Sequence, residues 1–105
     1  MRSPFARLAD TRFQRRPDLL CRIIEGEMVI LNREAGVLHR LNPTARLVWD
    51  YCDGSLGVND IVTQCRSAYN VDLITCRKDV LETVLQLESL NLVTRSTTTG
   101  ESGDG

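Results

Sequence analysis

Residues 26–49 read GEMVILNREAGVLHRLNPTARLVW: two strand patterns joined by a Gly-containing turn, then an Asn-Pro step that opens a helix. Asn caps the free amides of a helix start, and Pro fits the first helical position, where its missing N–H costs nothing. The chain must therefore pass from the second strand, residues 37–41, straight into a helix. That strand has no hairpin partner to follow it, so it is predicted to end a sheet with one side unpaired. An unpaired edge beside a helix is a receptor for an extended peptide.

The rest of the pattern builds around this core. Residues 19–24 (LLCRII) read as a first strand, and Glu25-Gly26 suits a tight hairpin turn because Gly accepts positive φ. The continuous apolar run 28–31 (MVIL) is expected of a central strand covered on both faces, and 32–36 make the next turn. Val37, Leu38 and Leu41 alternate irregularly with His39 and Arg40, a mixture that fits an edge strand. Ala45, Val48, Trp49 and Cys52 repeat at helical spacing, with Gly54 as the expected stop. A second helix is predicted over 58–69, with Val58, Ile61, Val62, Cys65, Ala68 and Tyr69 on one face, and a third over 75–90, closed by Asn91 in a left-handed conformation.

The expected organisation is a flexible basic arm over 1–17, a folded domain over 18–93 and a disordered tail over 94–105, where Thr, Ser, Gly and acid dominate. On a wheel of 100° per residue, Val80, Val84 and Leu87 of the third helix form one stripe, and Leu81 and Leu85 form a second beside it. Arg77 and Glu88 fall near the seam. The double stripe spans an arc wider than the roughly 100° of a helix buried on one side. Such a helix packs the core with one stripe and borders a groove with the other, or is buried on two sides.

With 105 residues, 42% of them hydrophobic, the chain has room for one modest core. No apolar run reaches the roughly 20 residues of a membrane span, and no h-region of a secretory signal is present. A cytoplasmic protein, monomer or weak dimer, is expected. Residues 1–18 hold five arginines against Asp10 and Asp18, leaving eight basic and twelve acidic residues in the body, a balance of −4. A body this acidic does not suit phosphate binding. Cys21, Cys52, Cys65 and Cys76 lie far apart without a C-x-x-C pair, so structural thiols are expected and no metal site. The one histidine has no nearby nucleophile in the sequence, and there is no Gly-rich phosphate loop, so neither catalysis nor a cofactor is expected.

The order strand, strand, strand, helix, helix, helix resembles a winged helix-turn-helix arrangement, an α+β fold with a three-stranded antiparallel sheet followed by three helices. The run Gly26-Glu-x-Val-x-Leu-Asn32, Gly36 leading to Leu41-Asn42, Ala45 with Val48-Trp49, Asp53-Gly54, Val58-x-x-Ile61-Val62, Asp79-Val80 and Leu90-x-Leu92-Val93 follow in sequence. In this set and spacing the chain resembles the PqqD-like family, the peptide-recognition elements of ribosomal peptide (RiPP) maturation, over about residues 17–93. It departs in having Asn91 where Gly is common, and Leu38 and His39 where aromatic residues are frequent. The resemblance implies a non-catalytic peptide chaperone. The leader of a precursor peptide adds as a strand to residues 37–41 and lies in a cleft against the third helix. The implied site is Val37, Leu38, His39, Arg40 and Leu41 facing Arg77, Leu81, Val84, Leu85 and Glu88, with the charge of Lys78 also available to select the leader. The implied partners are that precursor and a tailoring enzyme such as a radical SAM enzyme, a cyclase or a leader peptidase. The competing reading is a winged-helix DNA-binding regulator using Asn59, Gln64 and Arg66 or Arg77 and Lys78, against which the acidic body argues.

Overall fold

The computed structural model describes residues 4–96. The elements are α1 (Pro4–Leu8), β1 (Arg12–Arg15), β2 (Leu20–Ile24), β3 (Glu27–Asn32), β4 (Val37–Leu41), α2 (Pro43–Tyr51), β5 (Asp53–Gly57), α3 (Val58–Ala68), α4 (Leu73–Ser89) and β6 (Val93–Ser96). They form two three-stranded antiparallel sheets, in the orders β2-β3-β4 and β5-β1-β6.

The first sheet follows the sequence pattern. Glu25 (φ 53°) and Gly26 (φ 83°) both take positive φ between β2 and β3, the backbone of a two-residue hairpin whose twist matches its strands. The β3–β4 turn closes on Asn32, whose carbonyl accepts from the Gly36 amide at 2.8 Å and whose Oδ1 accepts from the Ala35 amide at 3.2 Å. Asn32 is the one buried polar residue among those described, and these bonds satisfy its carbonyl and its Oδ1. Asn42 caps α2 through Oδ1, which accepts from the Ala45 amide at 2.7 Å, with Pro43 as first helical residue. Asn91 takes φ 62°, ending α4 as expected.

The second sheet corrects the expected organisation. Residues 12–15 are not a flexible arm: β1 is the central strand of β5-β1-β6, and Phe13 is completely buried in the main core. Likewise residues 94–96 of the expected tail belong to β6, paired through Arg12↔Ser96, Phe13↔Arg95 and Gln14↔Thr94. Residues 1–3 of the arm and 97–105 of the tail lie outside the described residues. A four-residue strand with one apolar residue carries no readable alternation, and its partners β5 and β6 lie about forty and about eighty positions away in the chain. Gly54 is not the stop of α2, which ends at Tyr51; with φ 85° Gly54 instead bends β5 beside Gln14. Gly57, at the head of α3, lets the backbone of Ala9 approach: a Cβ there would meet the Ala9 carbonyl oxygen at 3.0 Å.

One apolar core joins both sheets and the three longer helices, through Phe13, Ile30, Val48, Trp49, Ile61, Val80, Val84, Leu87 and Leu92 among others. Two arginines of the expected arm tie it to this body. The Arg15 guanidinium donates to the carbonyls of Trp49 (3.0 Å) and Asp50 (2.8 Å) at the C-terminal end of α2 and lies 5.9 Å from the Trp49 ring centroid. Arg16 donates to the Asn91 carbonyl and pairs with Asp18 and Glu34, which holds its pKa above the usual value.

Candidate functional site

Strand β4 is an edge. It pairs with β3 through Met28↔Leu41, Val29↔Arg40, Ile30↔His39, Leu31↔Leu38 and Asn32↔Val37, and no strand among the described residues lies on its other side. Its outer row of N–H and C=O groups is open to a further strand. Because side chains alternate along a strand, β4 presents two faces. Val37, His39 and Leu41 share the face of Met28, Ile30 and Asn32, which are buried, so this is the core side. Leu38 and Arg40 share the opposite, solvent side with Leu31 and Val29. Leu41 is buried, His39 half-buried and the other three residues exposed.

Helix α4 supplies the second group. Asp72 caps it by accepting from the Thr75 amide at 3.0 Å, a bond that also holds the Asp72 carboxyl below its usual pKa. Cys76, Val80, Val84 and Leu87 are buried on the core face, whereas Leu81 and Leu85 are partly buried along its flank. The two stripes thus separate physically. Val84 is a correction: with 0% exposure it is wholly core and has no surface to offer a ligand. Arg77 and Glu88 are half-buried and Lys78 is exposed. Helix α2 packs against both β4 and α4, and so sets their relation.

Glu88 has a structural partner that the sequence does not reveal. Its carboxylate takes a bidentate pair of bonds from Arg95 of β6, at 2.9 and 2.7 Å, and the Arg95 guanidinium lies 5.4 Å from the Phe13 ring centroid. Arg95 is held above its usual pKa mainly by that bond to Glu88. Arg40 makes a looser cross-strand pair with Glu27 at 3.2 Å, both side chains being largely exposed.

Two cavities share Tyr69 as a wall, and the sequence reading missed both. One, of about 310 Å³, is walled by Met28, Leu41, Leu47 and Tyr69 together with Arg46 and Asp50. The other, of about 190 Å³, lies across Tyr69 against Cys65, Cys76 and Val80. Tyr69, placed by periodicity on the core face, instead follows the last residue of α3 and stays 41% exposed. The only available signal was the break in helix propensity at Asn70.

Chemically the surroundings are quiet. All four thiols are free, and burial pushes Cys52 up to about 12 and Cys65 up to about 11, far from a reactive thiolate. The Cys76 thiol donates to the Val62 carbonyl at 3.6 Å. No group of three or more metal-ligating side chains occurs among the described residues. No helix among them is long and apolar enough to cross a membrane.

Comparison with known proteins adds two kinds of likeness. The family model described as coenzyme PQQ synthesis protein D (PqqD) matches residues 27–93, from the start of β3 to the start of β6. Two solved structures share the fold. One, of TbiB1 in complex with the TbiA(beta) leader peptide, is 20% identical with a TM-score of 0.67, covering 76% of this chain and 93% of that one. The other, of lasso peptide synthetase B1 complexed with the leader peptide, is 23% identical with a TM-score of 0.70, covering 79% and 98%. No curated protein sequence matches.

Proposed function

Since the chain belongs to the PqqD family, we propose that it is a non-catalytic adaptor that captures the leader of a ribosomally made precursor peptide and presents it to a maturation enzyme. The open edge of β4 is the observation that carries this reading. The leader adds to β4 as a further antiparallel or parallel strand, its core-side residues running toward the half-buried flank of Leu81 and Leu85. Both structural relatives were solved with leader peptides, which supports the choice of ligand. The reading sets the protein in the cytoplasm, where ribosomal precursors are made.

The magnitudes are consistent with a delivery protein. Roughly four strand hydrogen bonds contribute about 0.5–1.5 kcal/mol each, and one or two apolar anchors about 1.5–3 kcal/mol each. Ordering the peptide costs about 2–5 kcal/mol, and association costs more. The balance is an affinity on the order of micromolar, tight enough to capture and weak enough to release. Glu88 enters this scheme as a wall fixed by Arg95, whereas Arg77 and Lys78 are the first basic residues along α4.

The test is a titration of ¹⁵N-labelled protein with the leader segment of a precursor encoded beside it. Amides of residues 37–41 and 81–88 are expected to move together and saturate at micromolar peptide. Shifts confined to the turn between α3 and α4, with β4 unmoved at saturation, would place the peptide elsewhere.

A further inference from the structure

We propose that the solvent side of β4 selects the bound peptide by two side chains: an apolar residue seated beside Leu38 and, two positions away, a carboxylate seated beside Arg40. The inference rests on strand addition to β4 and adds to it the sequence class that the edge prefers.

The register fixes the geometry. Leu20↔Leu31 and Leu31↔Leu38 are direct partners, so three leucines form a row across the solvent side of the sheet, from β2 through β3 to β4. The row stops at the open edge, where Leu38 is 65% exposed. The next row runs Arg22, Val29, Arg40, with the two arginines flanking a valine left only 9% exposed. A strand added to β4 places one residue directly beside Leu38, the next beside His39 on the core side, and the third beside Arg40. Directly opposed side chains on one face stand about 4.5–5.5 Å apart at Cβ, close enough to interact. An apolar residue therefore continues the leucine row by one more strand and covers Leu38.

Charge decides the other position. The solvent side carries Arg22 and Arg40 against Glu27, a balance of +1. Glu27 takes one N–H of Arg40 at 3.2 Å, leaving the rest of that planar donor fork for a second carboxylate. A lysine or arginine on the peptide would face Arg40 directly, and like charges opposed across strands are unfavourable. The preferred ligand is thus an extended segment with an apolar side chain and an Asp or Glu two positions apart. Strand direction determines which comes first.

The test uses a displayed library of random twelve-residue peptides selected against the wild-type protein and against Arg40→Glu, with enriched peptides checked by amide shifts of residues 37–41. The expected result is enrichment of apolar-x-acid or acid-x-apolar segments for the wild type and of the basic counterparts for Arg40→Glu. One acidic peptide should bind Arg40→Glu about tenfold more weakly, and its Lys version about tenfold more tightly, while Glu27→Gln should bind the acidic peptide severalfold better. Peptides that perturb β4 yet show no acidic-to-basic exchange would overturn the selection by Arg40 and leave strand addition standing. Enriched peptides that never perturb β4 would overturn strand addition itself, and the inference with it. An unchanged amide spectrum outside 27–41 in Arg40→Glu excludes unfolding as the cause.

Discussion

Leu81 and Val84 lie one turn apart on α4, yet a charge at each position has a different physical meaning. Val84 is fully enclosed by the core, so Val84→Asp buries an unpaired carboxylate and should unfold the protein. The milder Val84→Ala is expected to cost about 2 kcal/mol in urea unfolding, through lost burial plus a small cavity. Leu81 keeps part of its surface, so Leu81→Asp should leave a cooperative unfolding transition while abolishing leader binding by calorimetry. Loss of the fold in Leu81→Asp would show that its flank is core as well. At Glu88 the bidentate pair with Arg95 is partly exposed, and its loss in Glu88→Ala is expected to cost no more than about 1 kcal/mol.

At the scale of the element, β4 is defined by what its outer edge lacks. Proline substituted one residue at a time over 37–40 should separate two classes. Where the N–H points away from β3, the fold should persist and leader binding fail, because the removed donor is one the peptide needs. Where the N–H bonds to β3, the strand itself should detach, visible as loss of dispersed amide signals. Uniform behaviour at all four positions would count against strand addition. The helix start behind this strand is what let the sequence identify the edge. The Asn42-Pro43 helix start follows Leu41 at once, and local chemistry fixes that boundary. Nothing comparable marked β1, whose single inward residue, Phe13, is matched to its partners only by long-range pairing.

For the whole molecule, the second sheet makes the N-terminal region part of the core. Phe13→Ala is expected to cost about 3–5 kcal/mol, and a chain beginning at residue 17 should fail to fold alone, as read by circular dichroism and unfolding. A truncated chain that unfolds like the intact one would restore the reading of a dispensable arm. The buried thiols give a pH dependence. Cys52 has its folded pKa raised from 9.0 to about 12, so the fold favours the neutral thiol. Stability from this group is fully present below pH 9 and is lost as pH rises toward 12, with a limiting slope of about 1.4 kcal/mol per pH unit. Cys52→Ala should be less stable at neutral pH but flatter between pH 9 and 11.

Local chemistry wrote much of this protein directly into its sequence. The β2–β3 turn at Glu25-Gly26, the cap at Asn42, the left-handed Asn91 and the helix periodicities each depend on residues within a few positions of one another. The family model matches over residues 27–93, a stretch that holds the Asn42 cap, Asn91 and the three helix patterns. Tertiary structure alone decided which of two equally apolar stripes on α4 became core. It alone turned 12–15 and 93–96 into neighbouring strands, gave Glu88 to Arg95, and left Tyr69 between two cavities. Those outcomes depend on contacts between residues far apart in the chain, and a helical wheel or a four-residue strand holds no record of what will pack against it.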